Sequence, residues 1–224
     1  MTALLWFAAT VAVYAISRRL YGRYKWLVLS PLLVSPVVLV LLLTWLKQPY
    51  ADYAAGTGSL GFLLGPATVA FAIPMHKHFD LLKKHAVEII TSVAAGSLVA
   101  LLTSVPLAKV IHLSLATTLS LAPRSVTTPF AMAISSSVGG VPTLTAVFVI
   151  ATGLFGMVAG PLVMRWFAIR TPIARGALMG VGAHGAGTAK AFELGAVEGT
   201  VASLTMVLAG AVTLLIAPAV LALL

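Results

Sequence analysis

The stretch Leu121–Gly140, LAPRSVTTPFAMAISSSVGG, sets an arginine, two prolines and a run of Ser and Thr hydroxyls inside a chain otherwise built of lipid-soluble residues. In hydrocarbon every backbone N–H and C=O needs an internal partner. A proline-broken segment therefore survives at membrane depth only where protein buries it or where it lines a cavity. The stretch reads as a binding site in a broken membrane helix. The composition around it agrees: 60% hydrophobic residues, 8% charged, mean hydropathy +1.08 and no cysteine in 224 residues. A soluble domain carries about 25% charged residues, so this chain reads as an integral membrane protein. Disulfide and thiol chemistry are excluded. The formal charge of +9 falls in short basic clusters between apolar runs, the pattern of the positive-inside rule rather than of a nucleic-acid-binding face.

Along the chain, the apolar run Thr2 to Ser17 is expected to stop at the cytoplasmic cluster Arg18, Arg19, Arg23 and Lys25. Those charges follow the apolar run instead of preceding it, the reverse of a cleaved signal peptide, so the run is expected to be retained as a span. Trp26 to Leu46 has roughly the 20 residues that a bilayer requires. Lys47 to Gly58 is expected as an outer loop. Ser59 to Met75 re-enters with a Gly65-Pro66 break and ends in a second basic group, His76, Lys77, His78, Lys83, Lys84 and His85. Ala86 to Ala108 returns outward.

Leu113 to Ser137 is long enough to cross but is interrupted at Pro123, and Thr143 to Met164 runs uninterrupted to Arg165, Arg170 and Arg175. If the broken segment crosses, those arginines lie outside, against the usual bias; if it is a re-entrant hairpin, they lie inside. Gly176 to Leu194 is a further interrupted segment, and Val197 to Leu221 the last span. The expectation is one all-α domain over residues 1–224 with seven or eight membrane elements, two or three of them broken or re-entrant, and structural breaks at Pro66, Pro123, Gly139, Gly140 and Gly185. Leu64-Gly65-Pro66-Ala67-Thr68-Val69 also resembles Leu121-Ala122-Pro123-Arg124-Ser125-Val126 at an offset of 57 residues, as expected of carriers built from repeated units with broken helices.

Chemistry must come from the few polar groups at depth. An arginine near the bilayer centre costs at least about 2.5 kcal/mol, so Arg124 reads as a fixed cation for an anionic ligand, as the partner of Glu88 or Glu193, or as a side chain that snorkels to an interface. Ser125, Thr127, Thr128, Ser135, Ser136 and Ser137 are candidate donors to the same ligand, with Ser136 the one of the three serines assigned to it, against the alternative that Ser and Thr bond back to helix carbonyls or mediate helix packing. The second constellation is GVGAHGAGTAKAFE, Gly180–Glu193. Its small residues permit close backbone approach or unwinding that exposes N–H groups to an anion. Its spacing is that of neither a Walker A loop nor a dinucleotide fingerprint. Within it His184, Gly187 and Thr188 are candidate ligand contacts. His184, Glu193 and Glu88 are candidate proton carriers, although Lys190 and Glu193, at i and i+3, are also placed to neutralise each other. No metal-ligand cluster and no Ser/His/Asp grouping is present, so neither a metal, a cofactor nor an enzyme activity is expected.

At these two motifs the chain resembles the LrgB/CidB family of bacterial membrane proteins, to which a domain of the plant plastid glycolate/glycerate translocator is also similar. The carrying residues are Leu121–Ala146, LAPRSVTTPFAMAISSSVGGVPTLTA, and Ala177–Gly195, ALMGVGAHGAGTAKAFELG, with Leu64–Ala70 a weaker match. The family commonly has lysine where Arg124 stands, a departure that keeps the charge. The resemblance implies two functions. One is transport of small monocarboxylates such as pyruvate, glycolate or related hydroxy acids. The other is antiholin-like regulation of murein hydrolase export and cell lysis with a small LrgA/CidA-type partner. It also implies a distant likeness to cation/proton antiporter-like carriers.

Between these, the buried cation flanked by hydroxyls and two broken helices favours transport by alternating access, with Arg124 as the anion clamp; the residues leave the coupling ion open, with protons the first expectation. The expected setting is the bacterial inner membrane, in a homo-oligomer with a dimer favoured, without nucleic acid.

Overall fold

The computed structural model describes residues 2–24, 26–63, 66, 69–70 and 72–223. Among them every regular element is helical and no strand occurs. Contacts within the chain fall into two compact units that divide between residues 70 and 71.

The first unit holds α1 (Thr2–Tyr24), a 3-10 turn (Leu27–Leu29), α2 (Pro31–Trp45) and α3 (Tyr50–Phe62). Trp6 and Tyr53 meet edge to face at 5.8 Å and tie α1 to α3. Beyond the apolar run Thr2 to Ser17, helix α1 continues through Arg18, Arg19 and Arg23 to Tyr24, because long cationic side chains fit a helix and reach water beyond its end. One expectation needs correction here. The expected loop Lys47 to Gly58 is mostly helix, opened by Pro49 in extended backbone and rich in Ala. Pro66 itself is helical and exposed, but Leu64, Gly65, Ala67 and Thr68 lie outside the described residues, and with them most of the expected break and of the repeat match.

The second unit comprises α4 (Ala72–Lys77), α5 (Phe79–Lys84), α6 (Ala86–Val110), α7 (Leu115–Leu121), α8 (Thr128–Ser137), α9 (Pro142–Trp166), α10 (Pro172–Leu194) and α11 (Ala196–Leu223). Among the described residues α6, α9 and α11 are the three helices long and apolar enough to cross a bilayer. At 25, 25 and 28 residues each spans about 37–42 Å. Their outward faces carry exposed residues such as Val147, Phe155 and Leu215, a cost in water that vanishes against lipid.

The helices end by a shared device. Lys47, His112, Ala168 and Gly139 have φ of 51°, 56°, 50° and 86°. The N–H after each returns to a carbonyl five residues earlier, as in Leu113 to Ala108 at 3.0 Å and Gly140 to Ser135 at 2.8 Å.

Helix α10 is not one rod. His184 has φ 39° and ψ −123°, and the two arms on either side of it fold back on each other. A Cβ on Gly187 would collide with the carbonyl of Met179, and Leu194 lines the same cavity as Arg175. The two arms therefore begin and end together. Helix α11 starts at that end too, since Gly176 abuts Glu198 and Val201 while Gly180 abuts Ala202 and Thr205. The tip of the hairpin, His184, meets Gly153 near the middle of α9.

The α7–α8 segment mirrors this arrangement from the opposite end. It leaves from the end of α6 and finishes where α9 begins, where the Val141 N–H donates to Ser120 Oγ at 2.7 Å. Between the arms the chain unwinds at Ala122–Thr127, with Pro123 buried. Among the described residues the unit thus has three helices long and apolar enough to cross a bilayer and two helical hairpins that reach inward from opposite ends. Its basic residues are sorted accordingly: Lys77, Lys83, Lys84, Arg165, Arg170 and Arg175 share the end of the α10 mouth, while Lys109 and His112 stand at the other.

Candidate functional site

The two hairpins share one cavity. About 490 Å³ in volume, it is lined by Ser92, Gly96 and Ala100 of α6, by Arg124 and Ser125 from the unwound Pro123 turn, and by Leu178, Val181 and Gly182 from the first arm of α10. Each wall follows from local sequence. Gly96 lets α10 approach α6 so closely that an added Cβ would clash with Val181. The Pro123 turn has no helix to continue, since proline interrupts the hydrogen-bond ladder, and so presents Arg124 at the cavity. Gly182 has no atom within 4 Å of where its Cβ would stand, which leaves that wall open.

Arg124 is the cation of this cavity. Its side chain is half-buried, and its Nη1 atom is buried without a hydrogen-bond partner among the described residues. No acidic side chain lies in the lining. Ser92 spends its hydroxyl on its own helix, donating to the Glu88 carbonyl at 2.6 Å, whereas Ser125 stands beside Arg124 on the wall. A fixed guanidinium with an unfilled donor, next to a hydroxyl and without a counter-ion, can hold a small anion; a carboxylate matches its fork geometry.

The remaining sequence-derived candidates lie elsewhere. Thr127 caps α8 through its backbone and Thr128 opens that helix, both half-buried and outside the cavity lining. Ser136 is exposed on α8, whereas its neighbour Ser135 is buried and accepts a 2.7 Å hydrogen bond from Thr145. His184, Gly187 and Thr188 are not in the cavity lining and pack on α9, α10's own first arm and α11. His184 Nε2 donates to the Val149 carbonyl at 3.0 Å, and the Thr188 hydroxyl meets the Met206 sulfur at 3.6 Å. The positive φ of the α10 break falls on His184 rather than on Gly185. Glu193 pairs with Lys190 at 2.7 Å and Glu88 with His85 at 3.3 Å. Neither of these ion pairs involves Arg124. No group of metal-binding side chains occurs among the described residues. Gly182 lines the cavity as one of the small residues of the Gly180–Glu193 constellation, whereas Ser92, a lone hydroxyl in an apolar run, carries no sequence signal.

The chain matches the LrgB-like family over residues 10–223. It belongs to that family. With three helices among the described residues long and apolar enough to cross a bilayer, it is a multi-pass helical membrane protein. It is 53% identical over 209 residues to YwbG of Bacillus subtilis, covering 93% of each chain. It is 36% identical over 210 residues to the antiholin-like protein LrgB of Bacillus subtilis, covering 93% of this chain and 91% of that one. It is 32% identical over 219 residues to the antiholin-like protein LrgB of Bacillus cereus strain B4264, covering 97% and 95%. No solved structure matches the chain.

Proposed function

We propose that this LrgB-family chain acts as an antiholin-like membrane protein that regulates murein hydrolase export and lysis together with a small LrgA/CidA-type membrane protein. The observation that carries this reading is the near full-length similarity to two relatives named antiholin-like protein LrgB, which speaks for it over the carrier reading favoured by the residues alone. The basic end of the second unit, with Arg165, Arg170, Arg175 and the α4–α5 lysines, then faces the cytoplasm of a bacterial inner membrane. The test is co-expression with and without the small partner in a bacterium deleted for its own family members, reading autolysis and extracellular murein hydrolase activity.

A second reading, transport of a small monocarboxylate, is favoured by one specific observation, the unpartnered Nη1 of Arg124 on an acid-free cavity between two hairpins. In this reading the hairpins and the seven or eight membrane elements expected from sequence form an antiporter-like carrier, and a dimer is its assembly. The two readings are compatible, since altered carboxylate flux across the membrane alters the conditions under which lysis proceeds. Saturable uptake of labelled carboxylate by proteoliposomes supports the carrier; leakage of unrelated dyes supports a pore.

A further inference from the structure

A second cavity, about 460 Å³, opens where α9 ends and the α10 hairpin begins. Its wall combines three guanidinium-bearing residues, Arg165, Arg170 and Arg175, with the apolar side chains of Pro161, Met164 and Leu194. No acidic side chain lies in that wall, and the ion pairs described for this chain, Lys190–Glu193 and His85–Glu88, involve none of the three arginines. Glu193, next to Leu194 in sequence, is the acid nearest along the chain, and Lys190 already holds it at 2.7 Å. Arg175 is set in place by its Nε–H, which donates to the Ile169 carbonyl at 2.9 Å, a bond that uses one of the five guanidinium donors. Arg165 and Arg170 are exposed. Beside them Trp166 and Phe167 stand 76% and 75% exposed at the end of a crossing helix, where aromatic side chains sit among lipid headgroups.

We propose that this cavity binds an anionic phospholipid, with the phosphate held by Arg165, Arg170 and Arg175 and the glycerol and upper acyl segments against Pro161, Met164 and Leu194. Three arginines of one sign at the headgroup level attract anionic lipid, and the apolar half of the wall selects a lipid phosphate over a free one. The position makes the lipid a bridge between the last turn of α9 and both ends of the α10 hairpin. This site rests only on the membrane location of the chain and is independent of which function its family motifs serve.

The test is native mass spectrometry of the purified full chain released from detergent containing equal amounts of phosphatidylglycerol and phosphatidylcholine. The wild type is expected to retain phosphatidylglycerol preferentially, less so at high salt. Arg165→Gln/Arg170→Gln is expected to lose roughly tenfold or more of that preference, and Arg165→Lys/Arg170→Lys to keep most of it. Inorganic phosphate should not displace the lipid. Equal retention of both lipids, an unchanged preference in the glutamine variant, or full displacement by inorganic phosphate would each overturn the proposal.

Discussion

His184 Nε2 lies 3.0 Å from the carbonyl oxygen of Val149, joining the tip of the α10 hairpin to a crossing helix. A carbonyl only accepts, so Nε2 carries the proton of this bond. The Cβ absent from Gly153 makes room for the ring, since it would stand 2.7 Å from His184 Cε1. The break in α10 is thus held by a hydrogen bond and by a missing methyl group on α9, and several consequences can be measured.

The small residues of α10 should divide sharply in their tolerance of alanine. Gly180→Ala places a methyl against the backbone of Ala202, which cannot move aside, whereas Gly182→Ala meets open space. Gly180→Ala is expected to destabilise the protein by about 1–3 kcal/mol and Gly182→Ala by well under half of that. Thermal unfolding in detergent of the two variants checks the contrast; equal effects would contradict the packing described.

Hairpin topology is testable because the chain has no cysteine of its own. Phe167→Cys and Leu194→Cys should be labelled by an impermeant thiol reagent from the same side of the membrane, and Ser137→Cys from the other. Labelling of positions 167 and 194 from opposite sides would mean that α10 crosses after all.

Much of this architecture was legible in the sequence. Proline in an apolar run announced the Pro123 break, and the dense glycines around His184 announced the second one, because both residue types disrupt a helix in ways that pattern alone reveals. The charge bias of Arg165, Arg170 and Arg175 even posed the choice between crossing and hairpin. What the sequence withheld was direction. Whether a broken segment continues or turns back depends on one dihedral at His184 and on contacts such as Gly187 with Met179, which have no local signature. For the same reason His184 and Thr188, neighbours of Gly182 along the chain, appeared to belong beside Arg124, although the hairpin turns them toward Val149 and Met206.

The cavity itself predicts a close approach of the two motifs. Ser125→Cys and Gly182→Cys line one cavity and should be joined by a short bifunctional thiol reagent. Ser125→Cys paired with Gly187→Cys should react poorly, because Gly187 packs on Met179 in the other direction. Efficient cross-linking of the second pair alone would place the return arm at the cavity instead.

A buried hydroxyl pair anchors α8 to α9. Thr145→Val removes the donor to Ser135, both residues being fully buried, and leaves the serine without that partner. A loss of about 1 kcal/mol in stability is expected, recovered in part by Ser135→Ala in the same chain. Calorimetry of the single and double variants measures the coupling.

If the Arg124 cavity holds a carboxylate, Arg124→Gln abolishes saturable carboxylate uptake in proteoliposomes while leaving the inserted protein folded, and Arg124→Lys keeps part of it. Normal uptake by the glutamine variant would make Arg124 a structural cation.

An antiholin-like role exercised with a small membrane partner is read out by extracellular murein hydrolase activity in a bacterium deleted for its own family members. Expressing this chain together with an LrgA/CidA-type partner is expected to change that activity and the autolysis rate, and neither protein alone to do so fully. Identical hydrolase activity with and without the chain, at verified membrane expression of both proteins, would contradict it.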